Sequence, residues 1–244
     1  VDWLSNLKLR LSWGNSGNTA ISEYATQGAL GKYVYYFGTT EQSAMGYLPT
    51  ELANNQLGWE STEEYNVGVD FGFLNNRISG SIDGYIRNTR DLLMKRNLPI
   101  NTGYEFTWQN VGKTRNSGIE IALNTVPVVT KDFRWTVDLT FGYNKNKVTY
   151  VNVKAPVYYL ALDYASSYPT IGYEYNAIFG YKWAGLSSQG LPQVYDEKGE
   201  ITSHQPTNLE SLQYMGTTVP KYNGSLGAEI SYKNFDFNIL FTYA

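Results

Sequence analysis

Apolar and polar residues alternate with a period of two over nearly every stretch that has a period at all. Leu7, Leu9, Leu11 and Trp13 alternate with Lys8, Arg10, Ser12 and Gly14. Tyr65, Val67, Val69, Phe71 and Phe73 alternate with Asn66, Gly68, Asp70 and Gly72. The runs from Ile78 to Ile86, Ile119 to Leu123, Phe133 to Tyr143, Leu226 to Tyr232 and Phe235 to Tyr243 repeat the arrangement. Successive side chains of a strand point to opposite faces, so the pattern predicts seven strands, each with one greasy face and one polar face.

The connections come in two sizes. Leu74-Asn75-Asn76-Arg77, 127–132 and Lys233-Asn234 are tight and polar, as hairpin turns are. Residues 15–58, 88–114 and 147–220 are long and rich in Gly, Asn, Thr and Tyr. A strict alternation of short and long connections is the habit of a membrane barrel, with short periplasmic turns on one side and long extracellular loops on the other. Two further strand-like runs, 178–185 and 191–195, are assigned to a hairpin inside the last long loop. One crossing there would put the Tyr232–Phe235 turn on the long-loop side. From Phe133 to Tyr143 is ten residue steps, about 33 Å of strand, or about 25 Å along the membrane normal at a tilt of about 40°. That is the height of an outer-membrane apolar band. Phe133 and Trp135 stand at one end of that strand and Phe141 and Tyr143 at the other, with aliphatics between, the order that two membrane interfaces select. The fold class expected is all-β, a section of a large antiparallel transmembrane barrel. A β-sandwich, whose greasy faces meet in a core, alternates in the same way and is the competing fold.

Composition narrows the chemistry. The 244 residues include 22 Tyr and 23 Gly, and charged residues reach only 17%, against roughly 25% in an ordinary soluble domain. Cysteine is absent, which excludes disulfide scaffolds, zinc–thiolate sites and cysteine nucleophiles. The single histidine, His204, leaves no pair for a two-histidine metal site. A net charge of −3 offers no basic footprint for nucleic acid. The longest apolar run, Val157 to Leu162, is far short of a spanning helix. The chain opens at Val1 and closes at Ala244 within regular patterns, as a fragment of a longer protein would.

No catalytic constellation emerges. The polar faces carry Lys8, Arg10, Asp70, Asp83, Glu120, Arg134, Asp138, Glu229 and Asp236. Two carboxylates flanking a sugar bond would make a glycosidase, but nothing in the spacing singles out a pair. Arg10, Asp70, Asp83, Glu120, Arg134 and Asp138 are read as lumen-facing residues of a hydrated wall. Glu63 and Glu64 are adjacent on a strand and point apart. Asp196-Glu197-Lys198-Gly199 lacks the alternating oxygen ligands of a calcium loop and reads as a turn. No cofactor or metal is expected. The long loops hold Tyr35 and Tyr36, Tyr104 and Trp108, and Tyr159 and Tyr164. Their amphipathic rings are candidates for stacking on sugars or anchoring a partner; the competing role is packing the loops against the rim.

Several segments resemble the SusC/RagA family of TonB-linked outer-membrane transporters. They are Leu9-Arg10-Leu11-Ser12-Trp13-Gly14-Asn15-Ser16-Gly17-Asn18 and Leu57-Gly58-Trp59-Glu60 running to Asn66-Val67-Gly68-Val69-Asp70. Asp91-Leu92-Leu93, Asn110-Val111-Gly112, Asn116-Ser117-Gly118-Ile119-Glu120, Tyr143-Asn144-Lys145-Asn146 and Pro220-Lys221-Tyr222-Asn223-Gly224 follow in the family's order. The resemblance covers part of the C-terminal half of such a barrel, with no counterpart of the plug, the TonB box or the last closing strands. It implies a transporter in a Gram-negative outer membrane that imports oligosaccharides or peptides with a SusD-like surface lipoprotein, driven through TonB, and breaks no bonds. The alternative is a soluble or surface-anchored β-sandwich carbohydrate-binding module that uses the loop tyrosines; a sandwich glycosidase fragment is a third reading. The apolar face discriminates among them. A membrane wall leaves Val69, Val137, Leu139 and Ile239 without a protein cover, and a sandwich buries them under a second sheet.

Overall fold

In the computed structural model, which describes residues 3–19, 26–37, 42–98, 100–104, 106–152 and 169–244, the alternating runs form one antiparallel sheet. The strands are β1 (Leu4–Asn18), β2 (Leu30–Phe37), β3 (Gln42–Pro49), β4 (Glu60–Phe73), β5 (Ile78–Asn97), β6 (Phe106–Val129) and β7 (Phe133–Val151). They continue as β8 (Ala177–Tyr181), β9 (Trp183–Leu186), β10 (Pro192–Tyr195), β11 (Ile201–Thr202), β12 (Leu212–Thr217), β13 (Tyr222–Tyr232) and β14 (Phe235–Tyr243). Seven of them pair in the order β1-β4-β5-β6-β7-β13-β14, and these are the seven predicted from periodicity.

Register turns the alternation into two surfaces. One row across the sheet reads Leu9, Val69, Ile82, Ile121, Phe141, Gly224 and Tyr243; the row one residue away reads Lys8, Asp70, Ser81, Ala122, Thr140, Ser225 and Thr242. Nothing covers the apolar surface. Val69, Val137, Leu139 and Ile239 all stay partly exposed, and Leu11 and Phe235 keep 70% and 78% of their surface accessible. Extensive contacts between strands occur only between hydrogen-bonded neighbours, so among the described residues no second sheet packs on this one to make a sandwich. The buried apolar side chains there are Met94, Val111, Val148 and Ala177, all beyond the alternating belt at the loop end. A greasy face of this extent costs roughly 1.5–3 kcal/mol per large side chain if left in water; lipid relieves that cost.

The short turns close as expected. Arg77 N–H donates to Leu74 O at 3.2 Å, with Leu74, Asn75 and Asn76 all at positive φ between 54° and 60°, a conformation asparagine tolerates and leucine adopts only under constraint. The turn expected over 127–132 is shorter, because β6 runs to Val129 through a bulge between Thr125 and Val128. Pro127 sits in that bulge, where its missing N–H removes no ladder bond.

The long connections differ more from expectation. Residues 88–114 are not a loop: β5 and β6 stay paired to Asn97 and Phe106, leaving only 98–105 between them. Bulges between Thr89 and Leu93, with Asp91 at φ 57°, break the period-two pattern there while the ladder continues. Likewise, β7 runs on to Val151, and 15–58 contains the unforeseen β2–β3 hairpin. Segments 178–185 and 191–195 stay out of the main sheet, as expected, but do not simply pair with each other. β8 pairs with β12, while β9 and β10 pair and add β11. The Asp196–Gly199 stretch is a turn, with Asp196 Oδ1 accepting the N–H groups of Lys198 and Glu200 at 2.9 and 2.8 Å.

β1 and β14 have no strand on their outer sides among the described residues. The isolated chain is therefore expected to form ordered β-structure by circular dichroism only with detergent or lipid, and to give no stable single-channel conductance in a planar bilayer. Cooperative monomeric folding in plain buffer, or a steady conductance, would contradict this.

Candidate functional site

The polar surface is organised by side chains that reach across two strand gaps. Arg10 on β1 donates from Nε to both Asp70 oxygens, at 3.0 and 2.9 Å, and from Nη2 to Asp83 Oδ2 on β5 at 2.8 Å. To get there its guanidinium passes over Gly68, the residue of β4 that stands between Arg10 and Asp83 in register. A Cβ at 68 would overlap Asp83 Oδ1 and lie 2.8 Å from the guanidinium. The device recurs one row up. Tyr85 on β5 lies over Gly118 of β6 and donates to Asn144 Oδ1 on β7 at 3.1 Å. Arg87 stacks 4.8 Å from the Tyr85 ring and pairs with Glu64 at 2.9 Å. These ion pairs are part-exposed, so solvent screens them; they fix side-chain positions more than they stabilise.

Of the six residues predicted to share this face, Arg10, Asp70 and Asp83 form one cluster. Glu120 pairs in register with Asp83 and adds a further carboxylate. With Lys8, the register partner of Asp70, the sum of Lys8 and Arg10 against Asp70, Asp83 and Glu120 is +2 against −3, a net −1 at mid-sheet. Asp138 lies apart and accepts from Asn124 at 2.6 Å. Arg134 is at the short-turn end, where it helps line an open 480 Å³ hollow with Asp132, Ser231 and Lys233.

At the loop end the same face closes into a pocket of about 250 Å³, lined by Asn116, Asn144 and Asn146 from β6 and β7 and by Glu174, Tyr175, Asn176, Thr217 and Lys221 from the long excursion. The edge of β7 builds it. Up to Tyr143 that edge pairs with β13. Beyond, it is taken over by Lys221, whose carbonyl accepts from Asn144 N–H at 2.9 Å, and by Tyr173, whose carbonyl accepts from Val148 N–H at 2.8 Å. Asn146 then acts twice: Nδ2 donates to Asn116 Oδ1 at 2.8 Å and Oδ1 accepts the Tyr175 N–H at 2.7 Å. Lys221 pins the roof to the wall through Glu174 at 2.7 Å, and also donates to the Tyr214 hydroxyl at 3.4 Å. Burial works against the Glu174 charge, but hydrogen bonds from Lys221, its own backbone and Tyr214 outweigh it and hold its carboxyl below the usual range. The same bond to Glu174, then that to Tyr214, raises Lys221. Burial, followed by the Glu60 charge, raises the Tyr175 phenol. Its amides, phenol and compensated ion pair can meet hydroxyls or peptide groups, which both donate and accept, while Leu92, Val219 and Pro220 give the rest of the lining an apolar surface.

Sequence reasoning missed this pocket. Its signal was asparagine recurring at period two, Asn144 and Asn146, with Asn116 paired opposite Asn146. The aromatic candidates are scattered by comparison. Tyr35 and Tyr36 lie exposed on the β2–β3 hairpin, and Tyr104 follows a 3-10 turn over Ile100–Thr102. Trp108 is not in a loop but on β6, with Lys95 Nζ 5.6 Å from its ring and Phe106 edge-on at 6.4 Å. Tyr159 and Tyr164 lie outside the described residues. His204 is exposed in a polar turn, and no cluster of three or more metal-ligating side chains occurs among the described residues.

A two-faced antiparallel wall with its polar pocket at the loop end has counterparts among known proteins. The sequence profile described as TonB dependent receptor-like, beta-barrel matches residues 1–244. The chain belongs to this family. The TonB-dependent receptor SusC of Bacteroides thetaiotaomicron is 32% identical, over 98% of this chain and 25% of that protein. TonB-dependent receptor P3 of Formosa agariphila is 28% identical, again over 98% of this chain and 25% of its own length. A structure of the RagAB peptide transporter superposes with a TM-score of 0.82 at 26% identity, covering 99% of this chain and 27% of that one. These relatives place the chain in the SusC/RagA group, so this wall stands in a Gram-negative outer membrane and is not an enzyme. The chain spans about a quarter of the length of the curated relatives it matches.

Two outcomes test this geometry in a TonB-dependent receptor carrying this section. Gly68→Ala is expected to cost about 1–3 kcal/mol in urea unfolding from detergent, the usual range for overpacking. Gly14→Ala, on the same face with nothing within 4 Å of its added Cβ, is expected to stay within about 0.5 kcal/mol. For the roof, Glu174 has a lowered folded pKa, so its contribution is full above the ordinary carboxyl value of about 4.3 and is lost as pH falls through the folded value. Lys221 has a raised one, so its contribution is full below about 10.4 and is lost as pH climbs through the folded value. Amide exchange over 172–176 should therefore accelerate below about pH 4, and Lys221→Gln should remove that acid step.

Proposed function

We propose that this chain is one section of a longer barrel that takes up oligosaccharides or peptides across the outer membrane. The observation that carries the reading is the asparagine-lined pocket at the loop end of a polar wall. A ligand arriving from the medium meets amide groups before it meets the acidic middle of the face. Arg10, Asp70, Asp83, Glu120, Arg134 and Asp138 face the lumen in this arrangement and keep it hydrated. The RagAB structures are of a peptide transporter, which favours a peptide route; the hydroxyl-compatible pocket suits a glycan equally.

Tyr35 and Tyr36 on the hairpin, and Tyr104 and Trp108 near the β5–β6 tip, are separate aromatic contacts for a SusD-like lipoprotein lid or the substrate. TonB acts through a plug and TonB box carried by other parts of the receptor. In the full receptor, Asn116→Ala combined with Asn144→Ala is expected to weaken substrate binding about thirtyfold, at about 1 kcal/mol for each hydrogen bond lost. Calorimetric titration with peptide and oligosaccharide mixtures measures it, alongside uptake by whole cells. Unchanged binding and uptake of both classes would remove the pocket from the substrate path.

A further inference from the structure

The apolar face does not end at its aromatic girdle. On the outward side at the loop end, Tyr143 stands against Tyr222 at 5.1 Å, and the next outward residues of β7 are Lys145 and Lys147. On β6 the outward series rises from Ile119 through Ser117 to Arg115. Arg115 and Lys147 are direct register partners, and Ser117 is opposite Lys145. Like charges placed directly opposite on neighbouring strands repel. Nothing here relieves them: Arg115 donates only to the neutral Asn88 amide at 2.8 Å, and among the described residues neither it nor Lys145 or Lys147 makes an ion pair. All three are exposed. Arg90, further out on the same face of β5, is already paired with Glu63 at 3.3 Å. Glu63 is also held by the Tyr65 hydroxyl and the Trp13 indole, at 2.8 and 3.2 Å.

We infer that Arg115, Lys145 and Lys147 form a docking surface for the phosphate groups of outer-leaflet glycolipid. The inference rests on the apolar face meeting lipid. Its height is right: the three cations stand two to four residues beyond Tyr143 and Ile119, about 7–13 Å along the strands and about 5–10 Å along the normal at a tilt of about 40°. The headgroup layer begins there and is about 5–8 Å deep on each side. Charge complementarity names the occupant. Uncompensated lysine and arginine side by side, continuous with a lipid-covered surface, call for an anion that arrives on a lipid, and phosphate accepts several N–H bonds at once. At the opposite end of the wall Lys233 stacks on Tyr232 at 5.3 Å and Arg77 donates to the carbonyls of Val126 and Pro127.

The test uses the full receptor in mild detergent, titrated with diphosphorylated lipid A or its enzymatically dephosphorylated form and read by native mass spectrometry. Wild type is expected to hold the phosphorylated form at least tenfold more tightly. The triple variant Arg115→Gln, Lys145→Gln, Lys147→Gln is expected to lose that margin, at about fivefold per cation, while the charge-preserving Arg115→Lys, Lys145→Arg, Lys147→Arg keeps it. Absence of a preference in wild type overturns the site, as does a preference that survives the glutamine variant. Complete competition by millimolar inorganic phosphate, or occupation of the surface by a co-purifying protein, also overturns it. If the glutamine variant fails to reach the membrane, the two lipids on wild type decide alone. Wild-type receptor recovered outside the outer membrane would instead sink the wall reading itself.

Discussion

A backbone crossing hydrocarbon must pair every N–H and C=O within the protein, because no water is there to do it. Here that demand is met by ladders that join neighbouring strands from β1 to β14, with only the outer sides of those two left unpaired among the described residues. With the backbone committed to the ladder, only side chains are left to deal with the two media, and they do so by alternation. Leu9 and Lys8 are neighbours in sequence and belong to different environments, and the same holds in every strand of the sheet. The near absence of a buried core follows directly: the wall is one sheet thick, and lipid takes the place of a second layer.

A one-layer wall needs some means of linking strands that are not adjacent. Glycine supplies it. Gly68 opens the path by which Arg10 reaches Asp83, and Gly118 the path by which Tyr85 reaches Asn144. On the outward face the Tyr243 ring of β14 also lies over a glycine, Gly224 of the adjacent β13. At Gly68 and Gly118 the missing side chain lets a long neighbour span about two strand spacings, roughly 10 Å. Links of this kind resist sliding of one strand past the next, since a shift of register would bring a Cβ under the crossing side chain.

Both proposed sites lie where the alternation stops. Above the girdle the strands stay paired but bulge, as between Thr89 and Leu93, and the vacated edge of β7 is filled by the returning excursion rather than by a strand. That substitution creates a concave polar pocket on one side of the wall, while the other side presents cations at headgroup height. Within the belt no such freedom exists, since parity assigns each position to the apolar or the polar face.

Much of the fold was legible in the chain because a membrane wall writes itself locally. Two media on opposite faces impose a period of two, so Phe133 to Tyr143 declares its strand, its faces and its girdles without reference to any other segment. The polar turns at Leu74–Arg77 and Lys233-Asn234 set the parity of the connections in the same local way. Past the belt, water wets both faces and alternation loses its cause; there the sequence fell silent, and 88–114 resembled a loop although its strands remain paired. The partners of β8, the reach of Arg10 across Gly68 and the meeting of Asn116 and Asn146 with Glu174 and Lys221 were decided by tertiary structure alone. These contacts join residues tens of positions apart, and their geometry depends on register and on which side chains are absent between them, quantities that no local pattern encodes.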